Sequence, residues 1–147
     1  MNPQDRDPRE INALMIERIK GMPVRPYIEG GYVLRVMVTR GRQSGQERST
    51  PIAVVQLDGN QFLVAPNRER QWVRNLLADP TCRLHDVVEP VQAVLVDGEQ
   101  AARVIKTYLA VLVDLPWALQ AFAYDPDASL ETIMEHIDRT AVFQLHP

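Results

Sequence analysis

The sequence predicts an α+β fold, a small β-barrel of about six mostly antiparallel strands with helices at its periphery. Three observations carry that reading. Apolar runs of strand length follow one another through turn signals rather than through helices. Helical periodicity is confined to a leading segment, a short central one and the stretches after residue 97. The regular strand–helix alternation of a doubly wound nucleotide fold is absent. With 147 residues, 46% of them apolar, the chain is expected to form one domain. Residues 1–30 would supply a helix and lead-in, and 31–147 the barrel with its helices.

Asp7-Pro8-Arg9-Glu10 opens the first helix, with an acid at the cap, proline at the first helical position and glutamate three residues after the cap. Ile11, Leu14, Met15, Ile19 and Met22 then recur on one face, and Gly21 and Pro23 stop the helix. A strand is expected from Tyr32 to Thr39, then a glycine-rich polar loop over Gly41–Ser49. Thr50–Leu57 and Gln61–Ala65 read as two strands joined around Asp58-Gly59-Asn60, a strong hairpin signal. Glu69–Ala78 reads as a short helix closed by Asp79-Pro80. Strands follow at Thr81–His85 and Val91–Val96, and a helix at Gly98–Val113 has Ala101, Ile105, Leu109 and Leu112 on one face. Pro116 interrupts, a turn of helix carries Trp117 to Phe122, Ser129 caps a last helix through Asp138, and Ala141–Leu145 is the closing strand.

The net charge of −3 is unevenly spread. Between Arg35 and Arg83 eight arginines face four acids, so that window carries +4 and the remainder −7, while the chain has only two lysines. Arginine grips phosphate or carboxylate through a planar fork, so the window reads either as a solvated face or as a site for an anionic ligand. A nucleic-acid partner would need a broader basic surface. No run approaches the roughly 20 apolar residues of a membrane span, and the polar start, Met-Asn-Pro-Gln-Asp-Arg-Asp, does not read as a signal peptide. A soluble cytoplasmic protein is expected. The spacing of His85, His136 and His146 does not suggest a metal site. The single cysteine, Cys82, reads as a small buried hydrophobe rather than a nucleophile. Nucleophile-elbow, P-loop and dinucleotide glycine motifs are absent.

The stretch Thr39–Pro51 is the most informative. Its glycines allow a tight turn with successive N–H groups near one point. Arg42 and Arg48 supply charge, and Ser44, Ser49 and Thr50 supply hydroxyls. Read alone, it is either a phosphate loop or a plain hairpin with polar decoration.

In register with it stand Leu63-Val64-Ala65-Pro66 and Trp72-Val73-Arg74-Asn75-Leu76. Gly41-Arg42-Gln43-Ser44-Gly45 with Arg48 and Pro51, followed by these two motifs, resembles the deazaflavin-dependent nitroreductase or quinone-reductase family, which is built on a split β-barrel. The closing Ala141–Leu145 is similar to that family's last strand, so the likeness runs from about Val33 to the end. Gln43 departs from the family's second basic position and removes a cation, and Pro66-Asn67-Arg68-Glu69 replaces a segment often carrying lysine or glycine.

The resemblance implies binding of coenzyme F-420, an 8-hydroxy-5-deazaflavin with a phospholactyl-polyglutamate tail. Arg42, Gln43, Ser44 and Arg48 would hold the phosphate, and Ser49, Thr50, Pro51, Ile52 and Ala53 would line the groove. Val64, Ala65, Pro66 and Asn67 would lie along the ring, with Gln71, Trp72, Val73, Arg74 and Asn75 closing its other edge. The implied chemistry is hydride transfer between the deazaflavin C5 and a quinone, enone or nitroaromatic, with no catalytic residue assigned. The substrate side would draw on Met22, Tyr27 and the Tyr108–Tyr124 region, including Trp117 and Phe122. The alternatives are a non-enzymatic binder of a fatty acid or other apolar anion and an FMN-using split-barrel flavoprotein. A homodimer is a further expectation.

Overall fold

The computed structural model describes residues 7–147; the polar Met1–Arg6 stretch lies outside the described residues. Six strands, β1 (Tyr32–Arg40), β2 (Glu47–Leu57), β3 (Asn60–Ala65), β4 (Thr81–Leu84), β5 (Val91–Val96) and β6 (Ala141–His146), form a closed barrel in the order β1-β2-β3-β6-β5-β4. Every neighbouring pair is antiparallel. Five helices accompany it: α1 (Pro8–Lys20), α2 (Gln71–Ala78), α3 (Gly98–Val111), α4 (Pro116–Leu119) and α5 (Leu130–Glu135).

Strand alternation divides the core into two layers. Val33 and Met37 of β1, Ile52 and Val54 of β2, Leu63 of β3 and Phe143 of β6 point into the barrel, where Trp72, Val73 and Leu76 of α2 join them. On the other face Val55, Phe62, Val64 and Val142 pack against Ala101, Ile105 and Leu109 of α3. Phe143 and Ile105 are fully buried. Truncating such a side chain costs about 2–5 kcal/mol. The β2–β3 hairpin has the expected turn, with Asp58 at φ 53° and Gly59 at φ 77°, the two positive angles of a type I′ connection. Glu29 locks that turn by accepting the N–H groups of Asp58 at 2.8 Å and Gly59 at 2.9 Å.

Several boundaries move for identifiable reasons. Glu47, Arg48 and Ser49, expected in a loop, belong to β2 because they pair with Arg40, Thr39 and Val38. Their polar side chains gave no apolar alternation to read. α2 begins two residues later than expected, since Asn67 Oδ1 accepts the Glu69 N–H at 3.0 Å and holds a turn there. α3 stops at Val111 and continues as a 3₁₀ turn over Leu112–Asp114, because Pro116 forces Leu115 out of the helical region, to φ −128° and ψ 73°. The last helix ends at Glu135, with a 3₁₀ turn over Ile137–Arg139 before β6.

The largest correction concerns α1. Its periodic face buries only Ile19; Leu14 is 55% and Met22 41% exposed. Ile11 and Met15 of that stripe face a groove, Ile19 and Met22 line a separate cavity, and Leu14 is open to solvent. No helix among the described residues is long and apolar enough to cross a membrane.

Candidate functional site

The groove runs between α1 and the barrel wall and has two lobes that share Asn12 and Trp72. The first, of about 600 Å³, is polar: Arg9, Asn12, Ala13 and Ile16 of α1 face Gly41, Arg42, Gln43, Ser44, Arg48, Ser49 and Thr50, with Gln71, Trp72 and Asn75 of α2 between them. The second, of about 350 Å³, is apolar: Ile11 and Met15 of α1, Leu34, Pro51, Ile52, Ala53, Val64, Pro66 and Trp72 meet Tyr108, Leu112, Trp117 and Phe122.

Close packing builds the polar lobe. Gly41 is buried, and a Cβ there would lie 3.0 Å from Ser44 Oγ and 3.2 Å from the Gln46 carbonyl, so any side chain would push this tight loop open slightly. Asn75, 4% exposed, is the bracket between loop and helix. Its Oδ1 accepts both the Arg42 N–H at 3.2 Å and Arg42 Nη1 at 2.9 Å, and its Nδ2 donates to Thr39 Oγ1 at 3.4 Å.

The loop spends four of its N–H groups on its own closure and leaves two successive ones open. The N–H groups of Gly41, Arg42, Gly45 and Gln46 donate to the Gln46 carbonyl, Asn75 Oδ1, the Gly41 carbonyl and Ser44 Oγ. The successive N–H groups of Gln43 and Ser44 have no partner among the described residues, so this lobe offers an anion those two groups together with its side chains. Among the described residues the guanidinium groups of Arg9 and Arg48 have neither an ion-pair nor a hydrogen-bond partner, and Arg42 keeps donors beyond the one that Asn75 holds.

The wall of the apolar lobe is an aromatic cluster. Tyr108 meets Tyr32 edge-on at 5.8 Å between ring centroids and Phe122 at 5.9 Å. Burial pushes the Tyr108 phenol up to about 12, so it keeps its proton throughout the neutral range.

The groove thus gathers Arg42, Gln43, Ser44, Arg48, Ser49, Thr50, Pro51, Ile52, Ala53, Val64, Pro66, Gln71, Trp72 and Asn75. Ala65 and Val73 lie instead in the barrel interior, Asn67 caps the turn before α2, and Arg74 is exposed outside the groove. The expected substrate side separates. Tyr108, Trp117 and Phe122 line the apolar lobe, whereas Met22 lines another cavity, of about 270 Å³, with Arg25, Tyr32, Arg35 and His85. Tyr27 stacks on the Arg35 guanidinium, 5.0 Å from its ring centroid. The motifs did not reveal Arg9, Asn12, Ala13 and Ile16. They lie off the apolar stripe of α1, on its neighbouring polar side, which periodicity does not single out.

Cys82 is buried, and its thiol is pushed up to about 11 by that burial, which suits packing rather than nucleophilic chemistry. Among the described residues no group of three or more His, Cys, Asp or Glu is placed to hold a metal ion.

The family model for F-420H(2)-dependent quinone reductase matches residues 9–117, which takes in nearly all of α1, the polar lobe, most of the apolar lobe and five of the six strands. The chain belongs to that family. It is therefore an F-420-dependent reductase by family, an oxidoreductase on a six-stranded antiparallel barrel. A solved structure described as a domain-swapped dimer shares the fold with this family member at 22% identity and a TM-score of 0.54, covering 95% of this chain and 100% of the other. A structure of an F-420-H2-dependent reductase aligns at 22% identity and a TM-score of 0.49 over 84% of this chain and 100% of the other. A heme-binding protein from Mycobacterium smegmatis aligns at 15% identity and a TM-score of 0.48, over 76% of this chain but 45% of its own length. No curated protein sequence matches the chain.

Proposed function

We propose that the groove binds coenzyme F-420 with its anionic tail in the polar lobe and its ring in the apolar lobe, and that the protein catalyses hydride transfer to an electron-poor acceptor such as a quinone. The observation that carries the reading is the segregation within one continuous groove. Arg9, Arg42 and Arg48 collect in one lobe with the hydroxyls of Ser44, Ser49 and Thr50, while Trp72 leads into an apolar lobe walled by Pro51, Ile52 and Val64. A molecule with a polyanionic tail and a flat ring matches both ends.

When bound, the coenzyme supplies the hydride and the two-electron chemistry. The chain's own residues do the rest. Arg42, Arg48 and Ser44 hold the phosphate through charge-assisted hydrogen bonds, for which Asn75 fixes the Arg42 backbone and side chain. Ser49 and Thr50 continue that wall, and Gln43 contributes an amide where a further cation would bind more tightly. Trp72, Pro51, Ile52, Ala53, Val64 and Pro66 orient the ring and exclude water. Tyr108, neutral at working pH, forms part of the apolar wall that the acceptor would meet.

Titration of the purified protein with oxidised F-420, followed by coenzyme fluorescence, tests the reading. Saturable binding at or below tens of micromolar supports it, roughly the range of a usable cofactor site. The absence of binding there sinks it.

A further inference from the structure

Arg70 is the one charged side chain among the described residues lining the apolar lobe. Arg70 is exposed, so its charge meets solvent rather than a protein carboxylate and stays available to a ligand in the lobe. Arg68, two residues earlier, is tied to the Thr140 carbonyl at 2.7 Å, and Arg35 is paired with Asp86. Arg70 has neither a hydrogen bond nor an ion pair among the described residues. Its side chain is held near the lobe by its position at the cap of α2, where its carbonyl accepts the N–H groups of Val73 and Arg74, each at 3.1 Å. α2 has no side-chain cap, so the positive end of the helix lies beside the same spot and adds to the field. The charge also reaches the Tyr108 phenol, where it opposes the effect of burial. The arginines suited to the coenzyme tail line the other lobe, beyond Trp72.

We infer that Arg70 is a specificity residue for the acceptor, and that the preferred acceptor is a planar apolar quinone or enone carrying an anionic substituent, a carboxylate or sulfonate, which pairs with Arg70. This rests on the proposed coenzyme reading only for turnover. In the reaction a quinone acceptor gains a hydride and a proton, two electrons in all, and becomes the hydroquinone. The reduced coenzyme is the reductant, and the anionic substituent is unchanged.

The test uses two matched probes, naphthoquinone and naphthoquinone sulfonate. The chain has two tryptophans, Trp72 and Trp117, and both line this lobe, so quenching of intrinsic fluorescence reads probe binding directly without coenzyme. Arg70→Met and Arg70→Glu are compared with the wild type after a melting curve confirms that each is folded. An exposed ion pair of this kind is worth about a twofold to fivefold change in affinity, and charge reversal about tenfold. The expected result is that sulfonate binding falls by those factors, neutral-probe binding stays within about twofold, and the affinity for F-420 does not change. With coenzyme present, kcat/KM for the two probes should diverge in the same ratio. Equal losses for both probes, no change for either, or a fall in coenzyme affinity with probe selectivity intact would each overturn the inference. Failure of the coenzyme reading shows separately, as absence of F-420 binding by the wild type, and leaves the quenching comparison valid.

Discussion

Two parts of the barrel use arginine in opposite ways. At the end beside the α1–β1 connection, Arg35 is 3% exposed and each of its three nitrogens donates within the protein: Nε to Asp86 Oδ2 at 3.0 Å, Nη1 to the Leu34 carbonyl at 3.1 Å and Nη2 to the Arg25 carbonyl at 2.6 Å, with Tyr27 stacked against the guanidinium. In the groove, Arg9, Arg48 and Arg70 line walls with no partner among the described residues. The first arrangement is a clamp that anchors the lead-in of α1 to the barrel. The second leaves positive charge facing a cavity. A count of arginines cannot separate the two, whereas their partners and the walls they line can; in the proposed reading it is the second kind that faces the anionic ligand.

The sharpest way to break that contrast is at the clamp. Arg35→Ala leaves Asp86 buried without its cation, and Asp86 Oδ1 already lacks a partner among the described residues. A loss of about 3–5 kcal/mol is expected from urea unfolding. Replacing both Arg35 and Asp86 by leucine should recover part of it, because no orphaned charge remains; an equally unstable double variant would show that the clamp acts by shape rather than charge. At the groove the pattern should invert. Arg42→Ala with Arg48→Ala is expected to change stability by about 0.5 kcal/mol or less for the exposed Arg48 side, with a further modest loss where Arg42 leaves Asn75. Coenzyme affinity should fall by about 1.5–3 kcal/mol for each charged contact, and its salt dependence should shrink. Unchanged F-420 affinity in that double variant would remove the loop from the site.

Gln43→Arg sharpens the comparison in the other direction. It adds an unpartnered cation to the polar lobe and should tighten F-420 binding by about twofold to fivefold without altering the melting temperature. The smallest effect is expected outside both regions, at Glu29. The N–H groups of Gly59 and Asp58 hold its carboxyl below the usual carboxylate range. A depressed folded-state value means that its contribution is present above the ordinary glutamate range and disappears as pH falls through the lowered value. Glu29→Gln should therefore be slightly less stable than wild type at pH 7 and converge with it as pH falls through the lowered glutamate value and the carboxyl becomes uncharged.

Much of the fold is legible because the barrel strands alternate or run apolar, and because Asp58-Gly59 fixes one hairpin by backbone chemistry alone. The face of α3 was readable for the same reason, since Ala101, Ile105 and Leu109 all reach the core. Less legible was anything whose polar pattern serves a groove. The start of β2 hid behind Glu47-Arg48-Ser49, which pair as a strand while presenting polar side chains. Ser44 and Arg42 could be named from the loop motif, yet the sequence could not show that the loop's N–H groups are largely occupied within it. The family resemblance places Asn75 at the ring edge, but its role as a bracket depends on Thr39 and Arg42, residues 36 and 33 positions away. The four residues that fall outside the groove have local causes: Ala65 and Val73 are turned into the barrel, Asn67 is engaged with Glu69, and Arg74 faces away.

α1 gives walls to both lobes while burying only Ile19 among its own residues. Its packing is thus incomplete in the protein alone, and a molecule filling the groove would lie where a core normally would. Ligand affinity and the local stability of α1 then become one quantity measured from two sides. Slowed amide hydrogen exchange over residues 8–20 on coenzyme binding, with little change in the barrel strands, is the form that coupling takes.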